Sequence, residues 1–121
     1  MSREIKFRAY VKFLNEVQAV TEMKLNGNVF VEDYFYALAQ DDVHLMQFTG
    51  LKDKNGVEIY EGDIVHNSNF TDECNHVVDM IEGLGCWFMV DTKEGHAEPL
   101  NEWLDSSVVI GNIHQNHELV K

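Results

Sequence analysis

Through most of the chain, apolar and polar residues alternate in short stretches, and this period of two marks strands rather than helices. In Ile5-Lys6-Phe7-Arg8-Ala9-Tyr10, apolar Ile5, Phe7 and Ala9 alternate with Lys6 and Arg8, which predicts a half-buried strand. A second strand is expected within residues 17–25. The turn Asn26-Gly27-Asn28 follows, since Asn and Gly take positive φ at little cost, and then the strand Val29-Phe30-Val31. Residues 32–40 (EDYFYALAQ) read as a helix, because acids open the segment and Phe35, Leu38 and Ala39 share a face. Their Tyr34-Phe35-Tyr36 core suits a strand equally well.

The central pattern is the sharpest. Leu45-Met46-Gln47-Phe48 reads as a strand, and Thr49-Gly50-Leu51 leads into Lys52-Asp53-Lys54-Asn55-Gly56. Asn55-Gly56 predicts a hairpin with a type I′ turn, returning through Val57-Glu58-Ile59-Tyr60. Glu61-Gly62-Asp63 predicts another tight turn, with the next strand starting at Ile64-Val65. Residues 67–75 (NSNFTDECN) are polar and turn-forming, so a long exposed loop is expected there. Residues 76–81 alternate imperfectly, and Gly83 and Gly85 punctuate the link to Cys86-Trp87-Phe88-Met89-Val90, whose β-forming density predicts burial. Pro99 and Leu100 open a short helical turn running to Trp103-Leu104, and Val108-Val109-Ile110-Gly111-Asn112-Ile113 closes the sheet. Short strands spaced by Gly and Asn turns define a mainly β fold, a small barrel or strongly bent sheet with a short helix or two.

At 121 residues the chain is expected to form a single domain. No apolar run is long enough to span a membrane, and the N-terminal MSREIKF lacks the apolar core of a signal peptide. Two cysteines are too few for a disulfide scaffold, so a cytoplasmic location is expected. Charge changes this picture more than length does. The net charge is −12, and residues 55–120 hold thirteen acids against a single base, Lys93. Such a segment disfavours direct nucleic-acid binding and anionic membranes, both of which rely on Lys and Arg. The acids either keep the surface hydrated or form a patch for a basic partner.

Three blocks resemble the YopX family of phage and prophage proteins. The first is Ile5-Lys6-Phe7-Arg8-Ala9-Tyr10, where the family reads K-F-R-A-W and Tyr10 replaces tryptophan. The second runs from Leu45-Met46-Gln47-Phe48-Thr49-Gly50-Leu51 through Asp53-Lys54-Asn55-Gly56 to Ile59-Tyr60-Glu61-Gly62-Asp63-Ile64-Val65, similar to L-M-Q-Y-T-G-L…D-K-N-G…I-Y-E-G-D-I-V. The third is Val109-Ile110-Gly111-Asn112-Ile113 with Asn116-His117-Glu118-Leu119, where His117 replaces the usual proline. The resemblance implies a β-rich fold with an SH3-like barrel near the C-terminus, in a phage- or prophage-encoded protein. It implies no activity. On this reading residues 1–44 form a variable N-terminal part and residues 45–121 the barrel-like part. Phe7, Arg8, Gly50, Asn55, Gly56, Gly62, Asp63, Gly111 and Asn112 are its structural motif residues.

Candidate chemistry is sparse. Glu58, Glu61 and Asp63 could share a proton or bind a hard cation. Turns alone also account for them, with Asp63 accepting backbone N–H bonds after Gly62. His44, His66, His76, His96, His114 and His117 include one His-x-x-His pair, and Cys74-x-His76 adds another, but neither has a partner pair at zinc spacing. Burial of Cys86 predicts an inert thiol, and Asp72 and Glu73 disfavour a thiolate at Cys74. No nucleophile elbow, phosphate loop, dinucleotide fingerprint or zinc-protease helix is present, so no catalytic residue, metal or cofactor is expected.

The binding candidates are Glu58, Tyr60, Glu61, Asp63, Trp87 and Trp103. Tyr34-Phe35-Tyr36, Trp87-Phe88 and Trp103 either build an aromatic peptide groove or fill the core. Lys6, Arg8 and Lys12 form the one basic cluster, available to acids of the same chain or of a second copy. The expectation is a non-enzymatic interaction module with a host or phage protein as partner, and edge strands leave a homo-oligomer open. The alternatives are an acidic decoy that mimics nucleic acid, and a carboxylate-dependent nuclease.

Overall fold

A computed structural model describes residues 6–24, 26, 28–31, 34–37, 41–70, 75–81, 85–93 and 95–120. Ile5, Gly27, Cys74 and Gly83 lie outside the described residues. The chain divides into two compact units, Met1–Phe48 and Thr49–Lys121. The fold is mainly β, with a few single helical turns.

In the first unit β1 (Phe7–Val11) lies between β2 (Glu16–Ala19) and the start of β6 (Val43–Lys52), antiparallel to both. A separate antiparallel sheet holds β3 (Glu22–Met23), β4 (Asn28–Val31) and β5 (Tyr34–Ala37). The strand expected over residues 17–25 is broken at Val20-Thr21. There the Val20 N–H donates to Phe7 O and the Thr21 N–H to Phe30 O, which passes the chain from one sheet to the other. Ala9, Val11 and Val43 meet Val29, Val31 and Tyr36 in one core, with Val20 and Leu45 packed on it. Full burial of each aliphatic side chain is worth about 1.5–3 kcal/mol before entropy is charged against it.

The helix expected over residues 32–40 is a correction: Tyr34–Ala37 is strand β5, paired with β4 in the register Val29↔Tyr36 and Phe30↔Phe35. The ladder offered by β4 and the β propensity of Tyr-Phe-Tyr outweigh a single shared helical face. β1 also differs from a one-sided strand, because Ala9, Tyr10 and Val11 are all buried and Arg8 is half-buried. Successive residues point to opposite faces, so burial of Ala9, Tyr10 and Val11 in a row means that both faces are covered there.

The second unit opens with the end of β6, which pairs with β7 (Glu58–Tyr60). β8 (Asp63–Asn67), β9 (His76–Met80), β10 (Trp87–Asp91), β11 (Ala97–Pro99) and β12 (Ser107–Asn112) then form a five-stranded antiparallel sheet in the order β11-β10-β9-β8-β12. Two 3-10 turns, Leu100–Glu102 and Leu104–Ser106, join β11 to β12, and a third covers His117–Val120. The core is Ile59, Val65, Val78, Met89 and Leu100.

Four details depart from the pattern reading. Thr49-Gly50-Leu51 lies inside β6 rather than leading out of it. Asn67 is fully buried and ends β8, so the exposed loop starts after it. Cys86 is exposed on the bend before β10, which overturns its expected burial and the inertness argued from it. The hairpin turn is not type I′: positive φ falls on Gly56 (81°) and not on Asn55. The Gly56 N–H donates to Asp53 O at 3.0 Å and the Asp53 N–H to Val57 O at 2.9 Å, a three-residue loop closed by a left-handed glycine.

Candidate functional site

The motif carboxylates are built into the backbone. Asp53 is 6% exposed; its Oδ1 accepts the N–H groups of Asn55 (2.8 Å) and Val57 (2.9 Å), and its Oδ2 accepts that of Val109 (2.9 Å). The Lys54 N–H donates to Ser107 O at 3.1 Å, so this one turn holds the outer edge of β12 at two points. Asp63, 2% exposed, accepts the Tyr60 N–H at 2.7 Å. The Tyr60 hydroxyl donates to Glu58 Oε1 at 3.3 Å, and Glu61 is half-buried in the following turn. Gly62 takes φ 85°, a value costly for other residues, while its N–H donates to Val78 O (2.8 Å) and its carbonyl accepts from Ile113 (2.9 Å). Glu58, Tyr60, Glu61 and Asp63 are thus neighbours along one corner. Asp63 and the Glu58–Tyr60 pair are engaged in holding it.

The third motif block is equally structural. Asn112 Oδ1 accepts the N–H groups of His114 (3.0 Å) and Gln115 (2.9 Å), and Asn116 Oδ1 accepts that of Asn112 (3.2 Å). A Cβ on Gly111 would lie 2.5 Å from Asn116 Oδ1, so this close approach requires glycine. The register between β12 and β8 shifts between Val109 and Gly111, leaving Ile110 outside the ladder and exposed. Phe7 and Arg8 stand apart from these ties, in β1 of the first unit.

Aromatic side chains gather on the second unit's core. Phe70, Trp87 and Trp103 are each half-buried and pack on it with Leu51, Leu104 and Val109. The Phe70 ring centroid lies 4.8 Å from that of Trp103 and 5.1 Å from that of His76. His76 is 3% exposed, and neither its Nδ1 nor Trp103 Nε1 has a hydrogen-bond partner among the described residues. Burial holds the His76 imidazole below its usual pKa; Asp91 and Glu98 oppose this, and His66 adds to it. The Trp103 carbonyl accepts from Asn67 Nδ2 (3.2 Å) and Ser107 Oγ (2.8 Å), which fixes the turn that presents the ring. Glu102 and Asp105, both exposed, bracket Trp103.

The remaining candidates do not converge. His44 Nε2 and Lys12 Nζ both meet Asp42, at 2.8 and 3.2 Å, and these contacts hold the Asp42 carboxyl below its usual pKa, Lys12 more than His44. Lys6 Nζ lies 4.7 Å from the centre of the Phe48 ring. His114 and His117 occupy the C-terminal turns, and among the described residues no three His, Cys, Asp or Glu side chains could share a metal ion. Acids of the five-stranded sheet stand on both of its faces. Asp79 pairs with Phe88, while Glu98 pairs with Met89 one register position away, so the two carboxylates project from opposite faces of the sheet. No helix among the described residues is long and apolar enough to cross a membrane.

A mainly β chain with one of these blocks in its first strand and the other two at its turns defines a class that comparison with known proteins makes specific. The YopX protein family matches residues 6–121, and the chain belongs to that family. Protein EF1440 from Enterococcus faecalis has a similar solved structure, with a TM-score of 0.73, 26% identity, and coverage of 99% of this chain and 100% of that one. Protein yopX from Bacillus subtilis shares the fold at a TM-score of 0.55 and 18% identity, covering 96% of this chain and 95% of that one. A search of curated proteins returned no match.

Asp53, Asn67 and His76 are the residues whose importance the sequence reading missed. An Asp two residues before Asn-Gly is a recognisable turn-capping position, so Asp53 left a signal. Its third bond, to a strand 56 positions away, left none.

Proposed function

We propose that the chain is a non-enzymatic interaction module, encoded by a phage or prophage and acting in the cytoplasm of the bacterial host. Its second unit takes an extended apolar segment of a protein partner that carries basic residues. The carrying observation is the set of half-buried rings Phe70, Trp87 and Trp103 packed on one core, with exposed Glu102 and Asp105 on either side of Trp103. Aromatic rings offer large, rigid contact area, and flanking carboxylates select cationic ligands. The strand order supports the same reading. Four consecutive strands meander, 3-10 turns follow, and the last strand returns beside the first, as an SH3-like barrel requires. The engagement of Asp53 and Asp63 by backbone N–H groups weighs against acid–base roles for them.

The test is a titration of the full chain with arginine- and proline-containing peptides and with acidic peptides of the same apolar content, followed by tryptophan fluorescence. Only the basic series is expected to bind. Glu102→Lys combined with Asp105→Lys, both at exposed positions, should weaken that binding several-fold, at about 0.2–1 kcal/mol per exposed charge. Equal binding of both series, or none, overturns the reading. So does a turnover activity that depends on a single acid or histidine.

A further inference from the structure

The exposed turn Asn55-Gly56 combines two opposing features. Asn55 is exposed and its side-chain amide makes no hydrogen bond among the described residues, and a Cβ built on Gly56 would meet nothing within 4 Å, so nothing is packed over the turn on that side. The same nitrogen is tied down, because the Gly56 N–H donates to Asp53 O at 3.0 Å with Gly56 held at φ 81°.

We propose that Asn55 is a site of spontaneous covalent change, gated by opening of this turn. In the reaction the Gly56 nitrogen attacks the side-chain carbonyl carbon of Asn55. An N–C bond forms, the bond from that carbon to Nδ2 breaks, and Nδ2 leaves as ammonia with the proton given up by Gly56. Solvent water then opens the resulting five-membered imide at either carbonyl, giving aspartate or an isoaspartyl linkage. No oxidant, reductant or cofactor takes part. While the turn is closed, the Gly56 N–H is engaged and the backbone is held, so attack waits for local opening.

The product reaches further than its own turn. The isoaspartyl form routes the backbone through the former side chain, adding an atom between residues 55 and 56. That displaces the Gly56 and Val57 nitrogens from their places around Asp53, and Asp53 Oδ2 is the group that holds Val109 on β12. Reclosure is therefore impaired, and the modification records which molecules have opened.

The test incubates the full chain at mildly alkaline pH, with and without urea, followed by peptide mapping and enzymatic labelling of isoaspartate. Conversion at Asn55 is expected in both, roughly tenfold or more slowly in the folded chain. The other Asn-Gly pair, Asn26-Gly27, serves as the internal control for chemistry under each condition. Asn55→Ser, at an exposed position, should abolish the change in that peptide while leaving Asn26 conversion unaltered. Equal rates with and without urea overturn the gating. An unmodified Asn55 in urea, where Asn26 converts, overturns the site itself.

Discussion

The two units reach stability by different chemistry. Among the described residues, every buried polar side chain (Asp53, Asp63, Asn67, His76, Asp91, Ser107 and Asn112) lies in the second unit, while the first buries aliphatic groups, Met46, Phe48 and two tyrosines. The first unit also exposes Phe13 (68%), Leu14 and Met23. Apolar packing tolerates substitution as long as volume is kept, whereas a buried carboxylate with three N–H partners accepts no ordinary replacement. Two of the three blocks that mark the family lie almost wholly in the unit built on such polar ties, and there Asp53, Asp63 and Asn112 perform them.

The largest effect that should follow is at Asp53. Asp53→Ala leaves three backbone N–H groups without acceptors and should cost about 3 kcal/mol in urea unfolding. A loss below about 1 kcal/mol would mean that the tie to β12 is dispensable. Gly111→Ala comes next. Its new Cβ must push Asn116 off the Asn112 N–H, at a cost of about 1–3 kcal/mol, and Gly111→Ala combined with Asn116→Ala should recover part of it. Asp63→Ala should cost about 1 kcal/mol, the worth of one turn bond. Unchanged stability with a lost binding activity would instead make Asp63 a functional carboxylate.

His76 supplies a pH dependence with a definite sign. Its folded pKa lies below the ordinary histidine value of about 6.5, so the unfolded chain takes up the proton first. This contribution is fully present above about pH 6.5 and is lost as pH falls from there toward the folded value. Urea midpoints should fall over that interval, and His76→Phe should flatten the slope. An equal slope in the variant would mean that His76 is not its source. The smallest effect belongs to the first unit: Phe13→Ser, at a hairpin tip, should stay within about 0.5 kcal/mol. A larger loss would make the packing of Phe13 on Tyr36, with centroids 5.9 Å apart, a structural contact.

What the sequence made legible follows from the range of each interaction. Strands β1, β4, β9, β10 and β12 were readable because alternation and β-formers are local signals. The corner at Gly62 was readable because positive φ constrains residue type. Residues 34–37 misled because a four-residue strand depends on the partner beside it, which no local window contains. The exposure of Cys86 was missed for a related reason, since β-formers on one side do not bury the residue that precedes them. Trp87 and Trp103 could be chosen as aromatics, but their meeting on one core rests on strand order, and their partner Phe70 sits in a stretch that reads only as polar loop.

The most direct measurement is a titration of the full chain with an arginine- and proline-containing peptide, followed in the amide and indole region of its NMR spectrum. Shifts centred on Trp87, Trp103 and their neighbours in the second unit, with the Val109 amide still protected, are the expected result. Shifts centred on Phe13 and Leu14 in the first unit, or no shifts at all, would contradict it.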